Sequence, residues 1–183
     1  MSRALPSTEE AIRILLESGC SPYVISHCKA VAKQAVQLAD KCTENGVNVN
    51  AQLVHVGALL HDIGRSRTHN VDHVVIGANL ARSLNLPAPI VSIIERHMGG
   101  GITAEEASEL GWPKKSYMPE TIEEKIVAYA DKLMEGSKVV PIQDTIRKLV
   151  EQLGADHPAS QRVLRLHDEI TALCQQSNER KRI

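Results

Sequence analysis

The sequence predicts an all-α fold, a single helical bundle with additional C-terminal helices, and three observations carry that prediction. Three segments begin with a Ser/Thr-x-x-Glu box, at Ser7-Thr8-Glu9-Glu10, Thr103-Ala104-Glu105-Glu106 and Thr121-Ile122-Glu123-Glu124. In such a box a hydroxyl and a carboxylate satisfy the free N–H groups of a helix start. Apolar residues recur three and four positions apart along almost every segment, the spacing of one helix face. No stretch alternates apolar and polar residues over a useful strand length, and no internal repeat stands out. At 183 residues the chain is expected to be one domain, long enough to bury about 70% of the surface it exposes unfolded.

The first box opens a helix over Ala11 to Ser18, which Gly19 stops. Ser21 caps the second helix, with Pro22 at its first position. On that helix Val24, His27, Val31, Ala35 and Leu38 share a face. Thr43 to Val49 is a loop with Asn45-Gly46 as its turn signal. Asn50 caps a third helix, which takes in the apolar run Val54 to Leu60 and is expected to reach Asp62. Ile63 to Asp72 is polar and reads as a loop. His73 opens the fourth helix, with Gly77, Leu80, Ala81 and Leu84 below it on one face. Pro87 or Pro89 starts the fifth, where Ile90, Ile93, Ile94 and His97 share a face and Gly99-Gly100-Gly101 ends the element. A short helix follows Thr103 and ends near Leu110, and Gly111 to Pro119 is a loop. The third box leads into an apolar helix over Ile126 to Met134. After a break at Val140-Pro141, amphipathic helices over about Ile142 to Leu153 and Pro158 to Gln175 complete the chain as packing elements.

Composition removes several classes of function. With 21 basic and 22 acidic residues the net charge is −1, which argues against a nucleic-acid binder working through bulk charge. The one basic run, Arg180-Lys181-Arg182, lies at the extreme C-terminus and reads as a solvated tail. With no Phe, one Trp and three Tyr, few rings are available to stack on the bases of a single strand. Cys20, Cys28, Cys42 and Cys174 show no CxxC spacing and read as reduced core thiols. No apolar run reaches the roughly 18 residues of a membrane span, and no signal-peptide core is present. A soluble, cytoplasmic protein is expected.

Against this background, several side chains are expensive where they stand. His27 lies on the apolar face of its helix, His61 and Asp62 end an apolar run, His73 begins a buried face and His97 ends one. Asp131 sits in Ile126-Val127-Ala128-Tyr129-Ala130-Asp131-Lys132-Leu133-Met134, which is apolar almost all round. Burying even a neutral polar group without a partner costs about 2–7 kcal/mol. Singly, each histidine could be a hydrogen-bonded core residue, and Asp131 could pair with Lys132. Together, the six point to one shared cause, a metal centre between helices with ligands projecting inward. Imidazole and carboxylate together suit a transition ion better than calcium, which takes oxygen ligands.

The order His27, His61-Asp62, Asp131 resembles the H…HD…D signature of the HD-domain metal-dependent phosphohydrolases, and Ile63-Gly64 adds the HDIG variant. The resemblance covers roughly residues 21 to 138. Within it, His73-Val74-Val75-Ile76-Gly77-Ala78 is similar to the family's H…GA stretch. Ile93-Ile94-Glu95-Arg96-His97 is similar to the helix after it, and Tyr129-Ala130-Asp131-Lys132 to the family's final metal helix. The resemblance implies that His27, His61, Asp62 and Asp131 hold a first divalent transition metal, Fe, Mn, Ni, Co or Zn. It further implies that Asp62 bridges to a second ion held by His73 and His97. The activity implied is hydrolysis of a phosphomonoester or phosphodiester of a small molecule, a nucleotide or dinucleoside polyphosphate, with Asp62 and Arg65 as catalytic groups. Arg65 stands where many members carry lysine. Met98 follows His97, so the paired histidine of the HD-GYP cyclic-dinucleotide hydrolases is missing and that substrate is not carried over.

Arg65, Arg67, Arg96 and Lys132 are the cations near the pattern that could hold phosphate oxygens. Arg65 is the first choice, Arg96 a second, and Lys132 is expected to point away from the metal because it neighbours Asp131 on the helix. His69, four residues before His73, competes for the second-metal role but ranks lower because no apolar face positions it; it is expected to touch substrate. His55 reads as structural, and His157 and His167 receive no role. No Walker-type glycine loop is present, so a nucleotide would be held by the metal site and its rim. The partner expected is a small phosphorylated substrate, with no membrane and no strong nucleic-acid signal, and an oligomer stays open. Two other readings share the ligand set: a di-iron oxygenase of HD type, and a non-catalytic interaction module whose metal braces the helices.

Overall fold

A computed structural model of the chain describes residues 4 to 175. The basic run at 180–182 lies outside them. Among the described residues nine α-helices follow one another. The first five are α1 (Thr8–Glu17), α2 (Pro22–Glu44), α3 (Ala51–Leu60), α4 (His73–Ser83) and α5 (Ala88–Arg96). The remaining four are α6 (Ala104–Glu109), α7 (Ile122–Lys132), α8 (Ile142–Leu153) and α9 (Pro158–Gln175). The only described strands are β1 (Met134–Glu135) and β2 (Lys138–Val139), a two-residue antiparallel hairpin between α7 and α8.

The 23-residue α2 is the spine. Ser21 accepts the Val24 N–H at its start, and Val24, Cys28, Val31, Ala35, Leu38 and Ala39 bury one stripe. Helices α3, α7 and α9 pack on it. Helix α3 is apolar all round and accordingly buried from Leu53 onward apart from His55. Each of its leucines is worth about 1.5–3 kcal/mol when fully removed from water. Helix α5 reaches α3 at Gly57, where a Cβ would press on Ile93 Cγ2 at 3.2 Å. The α4–α5 pair closes that side of the core. Ile142, Val163, Leu166 and Ile170 belong to the same buried cluster as α2 and α3, so the C-terminal helices share the core. Cys20, Cys28 and Cys42 are buried and Cys174 is half-buried, all as free thiols. The Cys42 and Cys174 sulfurs meet across α2 and α9.

Several boundaries differ from those the pattern suggests. Helix α3 stops at Leu60 rather than Asp62: His61 is its C-cap, and Asp62 leads into a short 3-10 turn over Ile63–Ser66. That break turns the Asp62 carboxylate off the helix axis and places structure in a segment expected to be loop. The third box is only half made. Thr121 accepts the Glu124 N–H, but the Glu124 carboxylate accepts from the Glu120 N–H and from Arg96 instead of closing on Thr121. The apolar helix begins at Ile122 and ends at Lys132, and Met134 turns into the hairpin. Leu84 caps α4 and stays exposed rather than lying below His73.

Candidate metal centre and its cavity

Each of the six expected ligands reaches one region from a helix end or from the spine. His27 comes from the second turn of α2, His61 and Asp62 from the break after α3, and His73 from the first residue of α4. His97 follows α5, and Asp131 lies in the last turn of α7. Asp131 Oδ1 lies 3.1 Å from His27 Nε2 and 3.5 Å from His61 Nε2. Asp62 Oδ2 is 3.8 Å from both of those nitrogens. The other oxygen, Asp62 Oδ1, lies 3.2 Å from His73 Nε2 and 3.5 Å from His97 Nε2. The Asp62 carboxylate therefore lies between two pairs of imidazoles, one oxygen facing each. His27, His61 and Asp131 have ligand atoms within 4.8 Å of one another, and so do His61, Asp62 and His97.

The orientation of the imidazoles follows from the backbone. His27 Nδ1 lies 2.7 Å from the Gly136 carbonyl, His61 Nδ1 2.7 Å from Ala58, His73 Nδ1 2.7 Å from Asn70 and His97 Nδ1 2.9 Å from Ile94. A carbonyl oxygen only accepts, so all four rings donate from Nδ1 and turn Nε2 inward. The outer hydrogen bond that fixes a ligating histidine's tautomer is thus present at every ring. Inside, His73 Nε2 faces His97 Nε2 at 3.2 Å, and the buried His61 Nε2 and Asp62 Oδ1 have no hydrogen-bond partner.

The electrostatics express the same demand. Burial pulls the His61 imidazole down, yet Asp62 and Asp131 beside it carry it well above its ordinary value. Burial would raise Asp62, but His61, His73 and His97 hold it well below the usual carboxylate range. Asp131 is held low against burial by Lys132, His27 and His61. Burial takes His97 down to about 4. The two carboxylates are thus held in their charged form among buried imidazoles, an arrangement that a cation at the centre would complete.

Beside the ligands opens a cavity of about 390 Å³ lined by His27, Asp62, Asp131, Arg65, His69 and Lys132 among others. Arg65 donates from Nε to Asp62 Oδ2 at 2.7 Å and from Nη1 to the His69 carbonyl at 3.1 Å. The expected substrate contacts Arg65 and His69 are therefore brought together. Lys132 does not point away from the centre. Its Nζ lies 2.5 Å from Asp131 Oδ2 and it lines the cavity. Thr145 of α8 donates to the Lys132 carbonyl at 2.6 Å and lines the same cavity, so the C-terminal helices contribute to the site as well as to packing.

Arg96 is not brought to this cavity. Its guanidinium pairs with Glu124 at 3.0 Å and Glu120 at 2.9 Å, and Glu124 is buried. Arg67 is likewise turned elsewhere, donating to the Ser18 carbonyl at 3.0 Å. Removing one partner of a buried pair leaves the other charge uncompensated. Arg96→Met is therefore expected to cost about 2 kcal/mol of stability and to leave the affinity for substrate unchanged, as read from denaturant unfolding beside steady-state KM. A tenfold rise in KM at unchanged stability would restore Arg96 to the substrate.

Two supports give no signal in the sequence. Trp112 donates from Nε1 to Asp72 Oδ1 at 2.7 Å, and it packs in a separate small cluster with Val74, Ile102, Ala107 and Tyr117. The segment after α5 thereby braces the residue next to His73. Gly136, in the turn of the hairpin, supplies the carbonyl that orients His27.

The HD-domain family model matches residues 24–135. The chain is 49% identical over 165 residues to an uncharacterized protein of Methanocaldococcus jannaschii, covering 90% of this chain and 97% of that one. It is 40% identical over 170 residues to a tRNA (cytidine(56)-2'-O)-methyltransferase of Picrophilus torridus, covering 93% of this chain but only 48% of that protein's length. Among solved structures, the HD domain of the phosphodiesterase PgpH of L. monocytogenes, in complex with cyclic-di-AMP, has the same fold. The TM-score is 0.57 at 20% identity, over 89% of this chain and 94% of that one. Among the described residues no helix is long and apolar enough to cross a membrane.

Proposed function

We propose that this chain, which belongs to the HD-domain family, is a metal-dependent phosphohydrolase acting on a phosphate ester of nucleotide size. One observation supports it above the others: four imidazoles donate outward to backbone carbonyls and turn their Nε2 atoms onto the buried Asp62 and the half-buried Asp131. The unpartnered His61 Nε2 and Asp62 Oδ1 and the all-N,O donor set fit a divalent transition ion. His27, His61, Asp62 and Asp131 would hold one ion, and Asp62, His73 and His97 a second. Such an ion, when bound, acts as a Lewis acid and lowers the pKa of a coordinated water from 15.7 to about 7.

The chain's own groups do the rest. Arg65 holds Asp62 in place through Nε and has a further guanidinium edge for a phosphate oxygen. Lys132 neutralises the outer oxygen of Asp131 and is the second cation of the cavity. His69 contacts the substrate at the rim. A cavity of about 390 Å³ is within the range of small-molecule sites, and the near-zero net charge agrees with a small ligand. A second reading, an ester at the end of an RNA, is favoured by the relative from Picrophilus torridus, whose polypeptide is named a tRNA methyltransferase.

Elemental analysis of the purified chain, with a screen of nucleotides, sugar phosphates and short RNAs in added manganese, cobalt or nickel, tests the proposal. Turnover of at least one phosphate ester is expected. Bound metal with no turnover on any of them would overturn it and leave the di-iron oxygenase and the metal-braced module, which oxygen consumption under reducing conditions separates. Metal binding should also stabilise the fold, by about 2.7 kcal/mol at a concentration 100 times Kd. For a chain of this length that is a rise in Tm of about 5–10 °C, removed by chelator and read by thermal denaturation.

A further inference from the structure

The chain has four aromatic rings, one Trp and three Tyr, and they are used unequally. Trp112, Tyr117 and Tyr129 are buried, at 8%, 1% and 5% exposure, whereas Tyr23 is 71% exposed. Tyr23 lies in the first turn of α2, one turn before His27, and it lines the same cavity as Asp62, Arg65 and Lys132. In a protein that otherwise hides its rings, the exposed one stands at the mouth of the cavity that holds the phosphate-binding cations. Its hydroxyl end rests against the hairpin turn: a Cβ built on Gly136 would lie 3.1 Å from Tyr23 Oη and 3.8 Å from its ring carbons. Gly136, at φ +58°, leaves room for the ring there and also gives its carbonyl to His27. The polar tip of the ring thus lies beside the residue that orients a candidate ligand, while most of its surface remains open.

From this we propose that Tyr23 is the platform on which a nucleobase stacks, so that the site takes a nucleotide with its phosphate at Arg65 and Lys132 and its base at the rim. The inference rests on the phosphohydrolase reading and names what distinguishes the substrate within it. A base presents a π-face to a ring whatever its sequence identity, and stacking on an aromatic side chain is sequence-tolerant for that reason. Met134 of the hairpin and Thr145 of α8 line the same cavity.

The test is equilibrium binding of adenosine monophosphate and of ribose 5-phosphate to the full chain with manganese present, for the wild type, Tyr23→Phe and Tyr23→Ala. The same proteins are assayed for hydrolysis of p-nitrophenyl phosphate and bis(p-nitrophenyl) phosphate. Stacking predicts that the wild type binds the nucleotide about tenfold or more tightly than the baseless sugar phosphate. Tyr23→Phe keeps that preference, and Tyr23→Ala erases it without changing the affinity for ribose 5-phosphate. Thermal denaturation of each variant separates a binding loss from a folding loss. Equal weakening of both ligands by Tyr23→Ala, or no preference in the wild type, overturns the platform. If ribose 5-phosphate binds and an ester is cleaved while the base makes no difference, the stacking inference fails and the phosphohydrolase stands. If no phosphate compound binds or is cleaved, both fall.

Discussion

Asp62→Ala is expected to abolish hydrolysis, with a loss of more than about 10³-fold, and to strip the purified protein of metal while leaving its helicity near normal. The Asp62 carboxylate faces both pairs of imidazoles, with Oδ2 turned toward His27 and His61 and Oδ1 toward His73 and His97. Loss of the carboxylate also frees Arg65, whose Nε donates to Asp62 Oδ2, so the nearest phosphate-holding group loses its anchor together with the ions. The fold has little reason to follow. Asp62 lies between α3 and the 3-10 turn and makes no side-chain cap, so no helix depends on it. Elemental analysis, far-ultraviolet circular dichroism and turnover on the best ester from the screen read the three parts separately. Asp62→Asn, which keeps the shape and removes the charge, should behave as Asp62→Ala does toward metal. Retained turnover in either variant would remove Asp62 from the chemistry and with it the two-ion arrangement.

The candidate ligands were legible in the sequence because each is costly where it stands. A histidine or aspartate at an apolar position breaks a periodic pattern, and His27, His61, Asp62, His73, His97 and Asp131 all do so. The helices themselves were legible from the same periodicity and from caps such as Ser7, Ser21 and Asn50, whose side chains accept the expected backbone N–H groups. What the pattern hid lies in long or remote side chains. Lys132 follows Asp131, and on an ideal helix neighbours diverge by about 100°. Yet it is the last residue of α7, and a flexible four-carbon stem lets the ammonium fold back onto the carboxylate. Arg96 looked like a free cation beside His97, but its partners Glu120 and Glu124 come from more than twenty residues away. Helical spacing carries no information about such pairs. The contacts of Trp112 with Asp72 and of Thr145 with the Lys132 backbone are equally nonlocal. They concern supports rather than ligands, so no expensive side chain advertises them.

Gly64→Ala is expected to be the most destabilising single methyl that can be added near the site, at about 3 kcal/mol or more. The reason is proximity rather than backbone conformation, since Gly64 is not among the glycines at positive φ. Its Cα faces α4, where an added Cβ would collide with the His73 carbonyl oxygen and lie 2.8 Å from the Gly77 nitrogen. Both are backbone atoms of a helix and cannot swing aside as the end of a side chain can. Gly77 answers from the other side, where its own missing Cβ would sit 3.0 Å from Gly64 N and 3.2 Å from Gly64 Cα. Two glycines thus let the turn after Asp62 press directly on the helix that begins with His73. That approach sets the 3.2 Å between Asp62 Oδ1 and His73 Nε2. Separating the backbones should move His73 while His27, His61 and Asp131 keep their mutual positions, because the atoms nearest an added Cβ all belong to α4. Metal content should then fall from two ions toward one, alongside a Tm lower by about 6–12 °C. Gly46→Ala is the control. Gly46 sits at φ +85° with nothing within 4 Å of an added Cβ, so it should cost about 1–2 kcal/mol through conformation alone and leave the metal count untouched. If Gly64→Ala proves as stable as the wild type, the turn and α4 are not in the contact that holds the two halves of the centre together.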